Sequence, residues 1–380
     1  MYTPSDHDHM TMALAEAKKA MFVSNPNPRV GCVIVKNNEV LGVGHTQVVG
    51  SDHAEINALK DAKTRGLDVA GATVYVTLEP CCHHGRTPPC TDSLIAAKVS
   101  TVIAAMTDPN PLVAGQGLET LRASGIEVRC GLLEKEAMEL NPGFIKRMTQ
   151  KKPWVRMKIA ASLDGKTALH NGVSQWITSA DARHDGHLWR ARACCILTGI
   201  GTVKEDDPQL NVRDIHPKDI SIRQPMRVLI DSFLEVPLNA KILDETIGGH
   251  TMVVCGQVDD AHFAKMETAL KAKNVTLIKM ADTSNPKGKV DLSALFTYLA
   301  EKCHVNEVHV EAGFKLNGSL LRENCVDELL IYMAPKLLGD AQGMANLPAL
   351  TSLDGVDAWD MMDHQTIGHD LRLRLRKSNL

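Results

Sequence analysis

Aromatic side chains are scarce in this chain: 4 Trp, 4 Tyr and 6 Phe amount to 4% of 380 residues. Proteins that bind single-stranded nucleic acid stack bases on such rings, so this composition argues against that class of partner. Basic residues are not in excess either, with 42 Lys+Arg against 45 Asp+Glu and a net charge of −3. The first 150 residues carry 14 against 16, which leaves 28 against 29 for the remainder, so neither half is a basic arm. No nucleic-acid partner is expected, because such a footprint ordinarily needs a basic domain. No apolar run approaches the ~20 residues a bilayer requires, so no membrane partner is expected. The stretch Ser5-Asp6-His7-Asp8-His9 is acidic and polar, unlike a secretory leader, and a cytoplasmic protein is expected. There is no G-x-G-x-x-G, so the Rossmann fingerprint is missing.

What is present is ordinary in bulk and specific in detail. A hydrophobic content of 44% and a charged content of 23% suit a globular protein, and 380 residues allow two domains with full cores. Ten cysteines in such a chain read as thiols and metal ligands rather than a disulfide framework. The informative stretch is His53-Ala54-Glu55, followed by Pro80-Cys81 and then Cys90. One histidine and two cysteines suit a tetrahedral zinc ion and leave a fourth position for water. Glu55, two residues on, can reach that water without being a ligand. This is the H-x-E…P-C pattern of the zinc deaminases of nucleobases, in which the glutamate moves protons. The spacing departs from it: the usual C-x-x-C partner position holds His84, and the next cysteine is Cys90.

The surrounding pattern is α/β. Residues 10–23 read as an amphipathic helix that stops at Asn25-Pro26-Asn27-Pro28. Val30–Val35 and Val40–Gly44 read as a hairpin around Lys36-Asn37-Asn38-Glu39. A helix capped by Ser51 or Asp52 then runs through Ala62, and the strand Thr73–Leu78 delivers Pro80-Cys81. Thr91 or Asp92 caps the next helix, placing Cys90 at its start. Strand, helix and strand alternate to Gly131, which predicts a three-layer sandwich. A lone H-x-E carries little weight; the Pro-Cys after a strand is what points to zinc. A closed structural site is the alternative, with His83 or His84 as fourth ligand and no task for Glu55. Cys82 reads as a bystander, and Cys32 and Cys130 as core residues.

Three blocks carry a resemblance to a family: Asn25–Gly31, His53-Ala54-Glu55, and Thr77-Leu78-Glu79-Pro80-Cys81-Cys82-His83-His84-Gly85-Arg86-Thr87-Pro88-Pro89-Cys90. They closely resemble the riboflavin-biosynthesis deaminase, whose motif has the same long loop between its cysteines. The resemblance implies a cytidine-deaminase-like fold, zinc on His53, Cys81 and Cys90, and Glu55 as proton shuttle. Many members carry serine where this chain has Cys82. Asp108-Pro109-Asn110-Pro111 and Gly115-Gln116-Gly117 match as well, and by resemblance border the substrate.

Asn141-Pro142-Gly143 and Lys151-Lys152-Pro153 mark a boundary, giving expected domains of 1–148 and 149–380. Short strands at 154–160, 194–198, 227–231, 251–255, 275–279, 307–311 and 329–334 alternate with helical or loop segments, among them a helix from Ser179 or Asp181 to about Arg192. Gly199–Thr202 and Glu311–Ser319 are glycine-bearing turns that can present amides to phosphate, although each alone is a common tight turn. Past Gly339 only Leu371–Leu375 alternates like a strand. Met157-Lys158, Ser162-Leu163-Asp164-Gly165, Ser174–Ser179, Asp206-Asp207-Pro208 and Glu311-Ala312-Gly313 resemble the reductase domain fused to that deaminase. The resemblance, from Met10 to about Leu338, implies a dihydrofolate-reductase-like fold that uses NADPH. It places Ala160, Trp176, Thr202, Asp206, Ser232, Gly313, Phe314, Lys315, Leu316, Asn317, Gly318 and Ser319 at the cofactor. Ser174, Arg190, Leu210, Arg213 and Glu311 fall at the substrate, a pyrimidine ribose phosphate, where Arg190 and Arg213 suit its phosphate. Lys158 and Asp206 are candidates to assist proton transfer. A homo-oligomer, dimer or tetramer, is also implied.

Overall fold

The computed structural model describes residues 1–83, 88–111, 113–215, 222–285, 287–354 and 356–378. It divides into two compact units, Met1–Lys151 and Lys152–Leu380.

The first unit runs α1 (Pro4–Lys19), β1 (Gly31–Lys36), β2 (Glu39–His45), α2 (Ala54–Thr64), β3 (Thr73–Val76), α3 (Cys90–Ala96), β4 (Thr101–Ala104), α4 (Gln116–Ala123), β5 (Glu127–Cys130), α5 (Glu134–Leu140) and α6 (Pro142–Gln150). Its sheet has the order β2-β1-β3-β4-β5, antiparallel around β1 and parallel from β3 to β5. Helices α1 and α2 lie on opposite faces, because adjacent β2 residues point opposite ways and Gly31 meets α1 while Gly44 meets α2. The hairpin turn is Asn37-Asn38, with φ of 51° and 63°, the left-handed pair that a two-residue hairpin prefers.

Five boundaries differ from expectation. Helix α1 starts at Pro4 because Thr3 and Asp6 form a capping box, which apolar periodicity beginning at Met10 does not register. It ends at Lys19, ahead of the turn leading to the cis Asn25–Pro26 bond. The residue before α2 is His53 rather than Ser51 or Asp52, and Cys90 itself begins α3 behind Pro89. Pro142 opens α6 rather than a linker, and Asn141 is buried, its side chain bonded to the backbone of Arg29 at 2.8 and 2.9 Å.

The second unit runs β6 (Trp154–Ser162), β7 (Lys166–Ala168), α7 (Ala180–Arg192), β8 (Cys195–Gly199), α8 (Ile200–Asp206), β9 (Met226–Ile230), β10 (Thr251–Cys255), α9 (Asp260–Lys271), β11 (Val275–Lys279), α10 (Leu292–Glu301), β12 (Glu307–Val310), α11 (Phe314–Arg322), β13 (Glu328–Ala334), β14 (Gln342–Gly343), β15 (Trp359–Ile367) and β16 (Asp370–Lys377). The main sheet has the order β11-β10-β9-β8-β12-β6-β13-β16-β15, parallel up to β13 and antiparallel beyond. Strand β6 alternates: Val155, Met157, Ile159 and Ala161 enter the core with α10, while Arg156, Lys158 and Ala160 face the other way. The glycine turn at Gly199–Thr202 is the N-cap and first turn of α8. The antiparallel edge, β15 with β16, supplies structure past Gly339, where only 371–375 had shown a pattern.

Candidate active sites

The first site sits where two helix N-termini meet the end of β3. Gly44 makes the approach possible, since a Cβ there would meet Ala54 O at 2.3 Å. Asn57 ties the first turn of α2 down, its Nδ2 donating to His45 O at 3.0 Å and Asp52 O at 3.2 Å. His53 Nδ1 thereby lies 3.5 Å from Cys81 Sγ and 3.3 Å from Cys90 Sγ. The three ligand atoms fall within 4.8 Å of one another, the one such group among the described residues. His83 is exposed and outside that group; His84, Gly85, Arg86 and Thr87 fall outside the described residues.

The electrostatics ask for a cation. Donation from the Cys90 thiol, then from His53, pulls Cys81 below an ordinary thiol, while the same contact and burial push Cys90 up. Two facing thiols beside a histidine nitrogen suit a soft divalent ion, which would let both sulfurs ionise. Glu55 is 4% exposed, and burial together with Cys81 pushes its carboxyl up to about 7. Such a group can take and return a proton near neutrality. Burial, with smaller contributions from Glu79 and Cys81, raises Asp108 to about 6, and its amide donates to Glu79, two residues before Cys81, at 3.0 Å. Cys82 is half-buried and Cys130 likewise, whereas Cys32 is fully buried in the core.

The second site occupies the C-terminal ends of the parallel strands. Thr202 follows β8, Ser232 follows β9 and Gly313 follows β12, neighbours in the sheet. A Cβ on Gly313 would lie 3.7 Å from Thr202 Oγ1, so the start of α11 stands beside α8. Gly199 and Gly313 occupy the N-cap positions of these two helices, leaving first-turn amides without a side-chain cap. That is a suitable cradle for phosphate groups of a dinucleotide. Within the 313–319 run the residues differ in surroundings. Leu316 packs at Gly199, Asn317 donates to Met344 O at 3.0 Å, and a Cβ on Gly318 would meet Asn346 O at 2.2 Å. Ser319 lies a turn in, where Arg322 donates to it at 3.2 Å. Gly313 and Lys315 are exposed and Phe314 is half-buried. Asp206, at the end of α8, accepts from Ser174 at 3.4 Å and Gln175 at 3.3 Å, next to the exposed Trp176. Arg183 lies over the Trp176 ring at 4.3 Å, and the Gln175–Trp176 peptide is cis.

A charge cluster lies on the α7 side of the same sheet. Arg190 is joined to Glu311 through Nε and, at 2.9 Å, through Nη2, while its Nη1 donates to Asn211 O at 3.0 Å. The guanidinium fork that sequence reasoning gave to a phosphate is therefore engaged by Glu311, because β12 brings that carboxylate under α7. Burial alone would raise Glu311; Arg190 outweighs it and holds the carboxyl well below the ordinary range. Burial lowers Lys158, opposed by Glu311, and its Nζ sits 5.9 Å over the Tyr332 ring. Arg213 is half-exposed and its amide donates to His187 Nδ1 at 3.4 Å. His187 was not anticipated; burial, then Arg190 and Arg213, push it down to about 4. Leu210 is buried close to this segment with φ of 49°.

Comparison with known proteins agrees with both halves of this geometry. The model of the cytidine and deoxycytidylate deaminase zinc-binding region matches residues 3–106, and that of the RibD C-terminal domain matches residues 153–373. The Escherichia coli riboflavin biosynthesis protein RibD is 43% identical over 97% of this chain and 99% of that protein. The chain belongs to the RibD family. As a RibD-family protein it is bifunctional, a deaminase region followed by a reductase domain, in riboflavin biosynthesis. The Haemophilus influenzae RibD is 42% identical over 98% of this chain and 97% of its own. Among solved structures, Acinetobacter baumannii RibD matches at a TM-score of 0.88 and 40% identity, covering 99% of each chain. A Thermotoga maritima diaminohydroxyphosphoribosylaminopyrimidine deaminase/5-amino-6-(5-phosphoribosylamino)uracil reductase matches at 0.82 and 31% identity, covering 98% of this chain and 99% of that one. Among the described residues no helix is long and apolar enough to cross a membrane.

Proposed function

We propose that this RibD-family chain acts on 2,5-diamino-6-ribosylamino-4(3H)-pyrimidinone 5′-phosphate, deaminating its ring. It then reduces the ribosyl side chain with NADPH, giving 5-amino-6-(5-phospho-ribitylamino)uracil. The grouping of His53, Cys81 and Cys90 around the buried Glu55 carries the reading. Zinc held by those three residues supplies the Lewis acidity that brings the pKa of water toward neutrality. Glu55 takes one proton from the attacking water and gives it to the ring nitrogen, then carries the remaining proton of the added hydroxyl to the amino group, which leaves as ammonia.

In the second unit Thr202, Ser232, Trp176, Ala160 and the first turn of α11 hold NADPH, which supplies the hydride. Glu311, kept ionised and oriented by Arg190, holds substrate hydroxyls or ring N–H groups. Arg213, with its half-exposed guanidinium, takes the phosphate. Lys158 holds the proton needed as the ribose ring opens, a role that suits an ammonium lowered by burial. Asp206 orders Ser174 and Gln175 at the mouth. The enzyme works as a cytoplasmic homo-oligomer.

The test is mass spectrometry of products from the purified protein and the diamino substrate, with and without NADPH. Amine loss without NADPH, and ribityl product only with it, is the expected result. Stoichiometric zinc with neither product would overturn the assignment.

A further inference from the structure

One buried carboxylate of the deaminase unit accepts four backbone hydrogen bonds and belongs to neither the metal nor the proton shuttle. Glu79 is 3% exposed and stands two residues before Cys81. One of its oxygens accepts from the amides of Asp108 at 3.0 Å and Gly115 at 2.9 Å. The other accepts from Gly117 at 2.8 Å and Leu118 at 3.2 Å. Gly115 is the N-cap of α4 and has no side chain to offer, so a carboxylate from a distant strand end caps this eight-residue helix. Gly117 permits the contact: a Cβ there would meet Pro80 O at 2.0 Å and Glu79 Oε1 at 3.1 Å. The backbone of Glu79 in turn donates to Met106 O at 3.0 Å. Asp108 on one side, and Gly115, Gly117 and Leu118 on the other, are thus fastened to the segment that delivers Cys81.

We infer that Glu79 is a positioning residue of the deaminase centre, fixing Asp108 and the Gly115–Leu118 turn as a wall of the pyrimidine pocket. The inference rests on reading His53, Cys81, Cys90 and Glu55 as that centre. Four amides converging on two oxygens define the loop's place more tightly than packing of an irregular segment can. A loop so held contributes substrate contacts made equally in ground and transition states, so loosening it acts on KM.

Glu79→Gln separates this from a plain fold role. The amide keeps one acceptor oxygen and turns an NH2 toward the other two backbone donors, so half of the clamp opens. The full chain is assayed for deamination, for zinc content, and for NADPH-dependent reduction of the deaminated compound supplied directly. The expected result is a kcat/KM for deamination lowered about ten- to a hundredfold, carried by KM, with kcat, zinc content and reduction near wild type. Gly115→Ala loosens the same contact from the loop side without altering the carboxylate or pressing on Pro80: its φ of 91° is strained for alanine, while the added Cβ meets nothing within 4 Å. It is expected to give the same KM-selective pattern, and it decides the matter if Glu79→Gln does not accumulate as folded protein. Unchanged KM in a folded variant overturns the inference. So does a fall of zinc content, kcat and melting temperature in step, which marks Glu79 as a fold element only. Wild-type protein that binds zinc yet does not deaminate would instead overturn the underlying reading of the centre.

Discussion

Replacing Gly44 by alanine should damage deamination from a position that touches neither metal nor substrate. In the structure the added methyl would sit 2.3 Å from Ala54 O and 2.4 Å from Ala58 N, where ordinary contact begins at 3.4 Å. The first turn of α2 must therefore retreat by roughly 1 Å, since both atoms are helix backbone with no rotamer to change. That turn carries Glu55 and is preceded by His53, so the proton shuttle and one metal ligand move together relative to Cys81 and Cys90. Misplacement of about 1 Å in catalytic geometry costs roughly a hundredfold in rate, and the overpacking itself destabilises by about 1–3 kcal/mol. The assay is deaminase kcat/KM and bound zinc on the full chain, with NADPH reduction of the deaminated compound as internal control. A fall of about two orders of magnitude in deamination with reduction intact is expected. Wild-type deamination with full zinc would refute the reasoning, because it would mean that α2 does not need this close approach to place its ligands.

Other outcomes follow from the same geometry. Glu55→Gln, close in size but unable to accept a proton, should lower deaminase kcat by about 10²–10⁴-fold while zinc stays stoichiometric; loss of zinc instead would mark Glu55 as part of the ligand shell. Lys158→Ala should abolish NADPH oxidation with the deaminated compound and leave amine release untouched, and unchanged NADPH turnover would remove Lys158 from the proton path. Glu311→Gln leaves the half-buried Arg190 without its counter-charge and should destabilise the second unit by about 3 kcal/mol at most in denaturant melts. Glu311 titrates well below its ordinary 4.5 in the folded state, so its contribution is complete above that value and disappears as pH falls through the folded pKa. The gap between wild type and Glu311→Gln should accordingly narrow on acidification, and a gap independent of pH would show that the ion pair contributes nothing net.

Much of the fold was legible because it is written in local chemistry. The strand 251–255 fell where an apolar β-branched run placed it, since a buried parallel strand needs little else. The start of α7 was legible in Ser179, whose hydroxyl accepts from Ala182 N at 3.2 Å. Signals made of polar residues were harder to read. The first turn of α1 is Pro-Ser-Asp-His, helical because of its capping box, and its lack of apolar spacing hid it. Strand β15 is largely exposed, so neither alternation nor hydrophobicity marked it. The zinc-ligand triad was legible because zinc needs particular donor types at particular spacings, and three of them in one motif rarely coincide by chance.

The sequence by itself determined the donor atoms, the acid beside them, the alternation of strands and helices, and the division into two functional halves. These are properties of residue types over short spans, where sterics and ligand chemistry act locally. Tertiary structure decided which charges meet. Arg190 and Glu311 are 121 residues apart, Arg156 joins Glu307 and Glu328 across neighbouring strands, and Glu79 gathers four amides from a loop about thirty residues on. No spacing rule links such partners, because strand order and helix placement set their distance. An arginine that reads as a phosphate hook can, once folded, be the holder of a carboxylate.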